Sequence, residues 1–176
     1  NNTSVGAYAL DATTTGGDNT ALGHNALTAN TTATRNTAVG KDAMTTNTIG
    51  AYNAAFGYYA LGANTTASYN CAFGYAALGA NTTGEENTAV GAFAHDANTT
   101  GSYNVAMGVG ALGANTTGGQ NVAVGFEAYA IDTDGSYCTA IGWKALRNST
   151  AAGNSAFGWE ALIDNTTGTM NTGIGK

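Results

Sequence analysis

Large apolar residues recur along this chain at one fixed interval, each with the same small and polar neighbours. Val5, Leu22, Val39, Phe56, Phe73, Val90, Met107, Val124, Ile141, Phe157 and Ile174 each stand directly before a glycine. Those glycines are Gly6, Gly23, Gly40, Gly57, Gly74, Gly91, Gly108, Gly125, Gly142, Gly158 and Gly175. They lie 17 residues apart nine times and 16 apart once, between Gly142 and Gly158. The residue before each large one is Ala, except Ser4 and Gly173. Three after the glycine stands Ala, from Ala9 to Ala161, and the next position is mostly Leu, with Met44, His95 and Tyr129 as exceptions. Four before the glycine stands Asn, replaced only by Cys138, and an Asn-Thr-Thr-Gly block such as Asn81-Thr82-Thr83-Gly84 closes most units.

A unit this short cannot bury its own apolar face, so units must stack on one another. Thr-Ala-Val-Gly is too short and too glycine-bounded for a helix. The pattern predicts an all-β parallel solenoid (a β-roll) of about eleven coils over residues 1–176, one domain that could be a segment of a longer fibre. Each coil is expected to contain two short strands joined by Gly- and Asn-rich corners. At about 4.8 Å per coil the stack is roughly 50 Å long. The large apolar residue, the Leu and two or three alanines are expected to fill a thin interior. The glycine column from Gly23 to Gly158 reads as a structural corner needing positive φ or close backbone approach. Asn19, Asn36, Asn53, Asn70, Asn87, Asn104, Asn121 and Asn154 read as an Asn ladder, each bonding to the same column one coil away. The 16-residue unit is expected to lose its residue in the corner between Leu146 and Asn148. So little large apolar burial in a single stack predicts a homo-oligomer, most simply a trimer.

Composition narrows the function. Charged residues are 9% of the chain, proline is absent and the net charge is −6. Five Lys and Arg leave no basic stripe for a phosphate backbone, which argues against nucleic acid as a partner. No apolar run approaches the roughly 20 residues that span a bilayer, so no membrane insertion is expected. No charged n-region followed by an apolar h-region is visible at the N-terminus.

The unit Asn-Thr-Ala-Val-Gly-x-x-Ala resembles the head repeat of trimeric autotransporter adhesins. The longer Asn-Thr-Ala-Val-Gly-x-x-Ala-Leu…Asn-Thr-Thr-Gly pattern is similar to arrays in phage tail-fibre and related bacterial surface proteins. The resemblance runs from Asn2 to Gly175. It implies a left-handed, trimeric β-roll that projects from a cell or virion and contacts host-surface molecules, and hence an extracellular location. The period here is 17 where the adhesin heads have about fourteen, and no stalk or anchor segment is visible.

Catalytic chemistry finds no foothold, so the chain is read as not an enzyme, without cofactor or metal. His24 and His95 fall in different columns, and surface or edge packing is the expected role of each. Cys71 and Cys138 lie about four coils apart, near 19 Å, too far for an intrachain disulfide. Asp132-Thr133-Asp134-Gly135 resembles the start of a calcium loop but lacks the later ligands, and substitution into a corner is the plainer reading.

The exposed columns carry more information. Tyr58, Tyr75, Phe126, Trp143 and Trp159 follow the glycine, in a column that elsewhere holds Lys41, and are candidate ligand contacts for a host-surface glycan or protein. Packing between chains is the competing role. Tyr52, Tyr69, Tyr103 and Tyr137 form a second aromatic column. Asn64, Asn81, Asn98, Asn115 and Asn165 sit in glycosylation patterns. Their middle Thr recurs in every coil except at Ser149, which favours a structural hydrogen bond. A Thr row on a solenoid suggests ice binding as an alternative, by a monomer acting through the Asn-Thr-Thr face, but adjacent Thr residues cannot both face outward and Ile49 and Asp134 interrupt the row. A self-assembling extracellular filament subunit is the remaining alternative.

Overall fold

The computed structural model describes Asn1–Lys176. Three-residue strands stack in chain order into one eleven-stranded parallel sheet, all-β with no helix. They are β1 (Thr3–Val5), β2 (Thr20–Leu22), β3 (Thr37–Val39), β4 (Ala54–Phe56), β5 (Cys71–Phe73), β6 (Thr88–Val90), β7 (Val105–Met107), β8 (Val122–Val124), β9 (Thr139–Ile141), β10 (Ser155–Phe157) and β11 (Thr172–Ile174). Coils are numbered here after the strand that opens them. Register pairs each residue with its column neighbour, as in Ala38↔Ala55 and Val39↔Phe56.

Each coil contains one strand where two were expected. The rest of the perimeter is turn, bonded from coil to coil by its backbone: Leu27 N–H donates to Ala43 C=O at 3.1 Å and Thr31 N–H to Thr48 C=O at 3.1 Å. Of 113 backbone hydrogen bonds only 20 lie within the strands, so the turns carry most of the stacking. Three columns of ordinary residues adopt positive φ to allow this. They stand two and four after the glycine and five before the next one, as at Asn25 (58°), Leu27 (53°) and Arg35 (58°). The alternation of hand turns successive N–H groups toward opposite neighbours. Asn25 N–H donates back to Ala7 C=O while Leu27 N–H donates forward.

The large apolar column faces outward, which corrects the expected core. Side chains alternate across a strand, so Ala and the large residue beside it cannot share a face. Ala21 is fully buried while Leu22 is 47% exposed. The interior holds the strand Ala, the Ala three after the glycine and the Leu column, including Leu27, Leu61, Leu78 and Leu112. Buried Asn lines its edges. One Leu per coil fills that space, and a second large side chain would have no volume to enter.

The corner glycines have φ between 128° and 143° from Gly23 to Gly158. A Cβ on Gly23 would lie 2.5 Å from the Gly40 carbonyl oxygen, so positive φ and close approach coincide. In the first Asn column each Oδ1 accepts the backbone N–H of the next coil's residue, 2.9 Å for Asn19 to Asn36 and Asn36 to Asn53. The Nδ2 reaches the carbonyl of the next coil's closing corner, as in Asn36 to Gly50 at 2.8 Å. The amide-to-amide ladder runs instead through the second Asn column: Asn64 to Asn47 at 2.8 Å, Asn81 to Asn64 at 3.1 Å and Asn98 to Asn81 at 2.7 Å.

The missing residue of the short coil lies between Thr150 and Ala151, not between Leu146 and Asn148. Asn148 N–H still bonds Ile163 C=O, and Thr150 N–H still bonds Thr166 C=O, in the pattern of the other coils. Ser149 therefore occupies the second Asn column, and Thr150 completes an unbroken middle Thr row. The deletion falls in the Asn-Thr-Thr corner, away from the sheet, and Ser155 still pairs with Thr139.

Candidate functional site

Interior and surface divide the candidate residues. In the interior, four departures from the repeat gather at coils 6 to 8. Tyr129 replaces a Leu, and its hydroxyl donates to the Asp132 carboxylate at 2.6 Å. Cys138, in the first Asn column, places its Sγ 3.2 Å from the same hydroxyl. Asp132, in the second Asn column, also accepts the N–H groups of Asp134 (3.1 Å) and Gly135 (2.9 Å). The buried Asp132 carboxylate is thus turned inward onto protein donors, in the role of a corner substitution. Burial, then the carboxylate beside it, raises the Tyr129 hydroxyl above its ordinary pKa.

The ladder ends at Asn98: Asn115 does not donate to it, and Asp132 has no amide to donate to Asn115. Asn115 turns its Nδ2 forward to the Gly135 carbonyl at 3.2 Å, where Asn98 donates back to Asn81. Its buried Oδ1 is left without a hydrogen-bond partner, and so are both ring nitrogens of His95. His95 fills a Leu position at zero exposure, which overturns the surface or edge role expected for it, and burial lowers its pKa to about 4. His24 is exposed, edge-on to Tyr8 at 5.7 Å. Both cysteines are free.

On the surface, the sheet presents two outward columns: the leading residue of each strand, which is Thr, Val or Ser except at Ala54 and Cys71, and the large apolar residue. The latter includes Leu22, Phe73, Met107, Ile141 and Phe157, all exposed on one flat face, with Phe56 and Phe73 stacked at 4.4 Å. The aromatic column adjoins this face around the glycine corner. Its members form two separate stacks: Tyr58 on Tyr75 at 5.3 Å, then Phe126, Trp143 and Trp159 at 6.1 and 4.3 Å. Stacking at the coil rise uses the ring faces on each other and leaves their edges outward. Lys144 lies 4.1 Å over the Trp143 ring, and Glu127 takes Arg147 at 2.6 Å. In the second aromatic column Tyr52 stacks on Tyr69 at 5.0 Å, while Tyr103 and Tyr137 have no such neighbour because Glu86 and Gln120 intervene.

The threonine corner separates by position. The middle Thr hydroxyls donate to the next coil's backbone, as in Thr48 to Thr65 C=O at 3.0 Å. The following residues, among them Thr66, Thr83, Thr100 and Thr117, are exposed, in a single row broken by Ile49, by Asp134 and by the residue missing from the short coil. Asn64, Asn81, Asn98 and Asn115 are fully buried, which closes these glycosylation patterns in the folded chain.

One groove lies outside every column the sequence singles out. Two residues after the glycine, the side chain drops from Tyr59 in coil 4 to Ala76 in coil 5. With Ala63, Gly79, Ala80 and Asp96, these residues line an open depression of about 330 Å³. The sequence signal for it is a loss of bulk in coil 5, visible only once columns two and five after the glycine are known to share a face. No protein-family model matches the chain, and no curated protein or solved structure shows significant similarity to it.

Proposed function

We propose that this chain is a rigid segment of an extracellular fibre, of the phage tail-fibre or bacterial surface-appendage kind. Its chains associate, as a trimer, along the flat apolar face, and its outer columns contact a host-surface glycan or protein. The observation that carries this reading is the outward row from Val5 to Ile174. A repeat that places a large apolar residue outside on every strand, in unbroken register, invites a partner of the same period. The strip from the leading Thr column to the aromatic column is about 50 Å long and 13 Å wide, on the order of 650 Å². That is comparable with the roughly 800 Å² each partner contributes to a standard interface. Uniform stacking supplies stiffness, and the short coil supports the same reading because its deletion spares this face.

Ice binding draws support only from the exposed single Thr row, since the middle hydroxyls are committed to the backbone. No helix is long and apolar enough to cross a membrane. Light scattering on the purified chain tests the proposal: the expected mass is three times 17.5 kDa. Phe73→Glu with Met107→Glu, both at exposed outward positions, should reduce it to one chain without changing the far-ultraviolet spectrum. A wild-type chain that stays monomeric at high concentration refutes the self-association.

A further inference from the structure

We infer that the groove between Tyr59 and Asp96 is a saccharide subsite, taking one hexopyranose ring that carries an amine or hydroxyl donor. This rests on the reading of the rod as a surface-contacting fibre and names where a sugar would sit and what would hold it.

The groove is made by three successive coils. In coil 4 the Tyr59 ring lies down over Gly62, where a Cβ would fall 2.5 Å from the ring. The glycine lets the ring become a flat wall. In coil 5 the column residue is Ala76, and Gly79 and Ala80 follow, so the floor is backbone and methyl groups. In coil 6 the wall is the Asp96 carboxylate, half-buried and outside every ion pair of the chain. The Tyr59 ring also reaches over the floor, its Cδ1 3.4 Å from where a Cβ on Gly79 would stand, so the walls approach more closely than two coil spacings, roughly 10 Å. The depression, about 330 Å³, has room for one ring.

A hexopyranose matches both walls. Its C–H face packs against an aromatic ring, and its equatorial rim carries donors for a carboxylate. The half-buried carboxylate has only its own backbone N–H as a fixed donor, so its remaining acceptor capacity is open to a ligand N–H or O–H. The net charge of −6 and the absence of any Lys or Arg in the lining disfavour anionic sugars. The aromatic stack of Tyr58 and Tyr75 adjoins the groove through Tyr58, whose ring centroid is 6.3 Å from that of Tyr59, and extends the apolar surface for a second ring.

The column itself supplies a blocking variant that preserves the fold. Ala76→Tyr places in coil 5 the residue that coil 4 already carries at nearly the same φ, 53° against 56°. The probes are the glucosamine trisaccharide and its N-acetylated counterpart, titrated at millimolar concentration against the full chain by saturation-transfer NMR. Binding of the first alone identifies an amine donor, and binding of both identifies hydroxyl or amide N–H donors; either supports the subsite. Ala76→Tyr should abolish binding with an unchanged melting temperature, and Asp96→Asn should weaken it about tenfold. Trp159→Ala, on the other aromatic stack, should leave it unchanged. Failure of both sugars to bind overturns the subsite, and so does binding that survives Ala76→Tyr. The oligomer mass is read independently, so a trimer that binds neither sugar removes the groove alone, while a sugar-binding monomer removes the self-association alone.

Discussion

Replacing Gly91 by Ala tests the corner column with one methyl group. Gly91 has φ of 131°, and a Cβ there would lie 2.7 Å from both the carbonyl carbon and oxygen of Gly108. Two costs add. A backbone region that side-chain-bearing residues scarcely occupy costs about 1–3 kcal/mol. Forcing a methyl into backbone that cannot yield costs a further ~1–3 kcal/mol. The sum, about 4 kcal/mol, is a large fraction of the 5–15 kcal/mol typical of a folded domain. Because stacked repeats contact only their neighbours, the loss should concentrate where coils 6 and 7 meet. There Gly108 N–H donates to Val90 C=O at 2.8 Å. Hydrogen exchange followed by mass spectrometry should show Val90 to Val109 opening first, with the melting temperature lowered. Gly17→Ala is the internal control: Gly17 has no strained φ, the nearest atom to its Cβ would be 4.0 Å away, and other coils carry Thr34 or Ser68 in that column. If Gly91→Ala melts no lower than Gly17→Ala, the corner does not require glycine and the packing account is wrong.

The interior departures give two further outcomes. His95 has a folded pKa of about 4 against 6.5 unfolded, so the unfolded chain binds the proton first as pH falls. Stability is therefore full above about pH 7 and drops between pH 6.5 and 4, by about 3 kcal/mol in total. His95→Leu, which restores the column residue, should raise stability and flatten denaturant midpoints over that range; an equally steep pH dependence in the variant would remove His95 as its source. Tyr129→Phe takes one hydroxyl from a buried carboxylate and should cost about 2–3 kcal/mol in urea unfolding. Adding Asp132→Asn to that variant should recover most of the loss, because an amide can again donate to Asn115 Oδ1. Additive losses in the double variant would show that the two residues are not coupled.

The 17-residue period alone determined the architecture: one unit repeated with a single deletion can only stack, and turn residues at its ends confine regular structure to short strands. The glycine column was legible for the same reason, since only close approach or positive φ demands one residue type in every coil. What the sequence left open was the side of the wall on which each column lies. Val and Leu read as core by hydrophobicity, yet alternation about a buried Ala sends the first outward, and the Leu from the opposite wall takes the space. Positive φ at Leu27 or Leu61 leaves no trace in residue choice, because it is imposed by coil-to-coil bonding. Which Asn column forms the amide ladder, where the short coil loses its residue, and how Tyr59, Ala76 and Asp96 come to face one another depend on contacts between coils. Those contacts exist only after stacking, when residues seventeen apart become neighbours at under 5 Å.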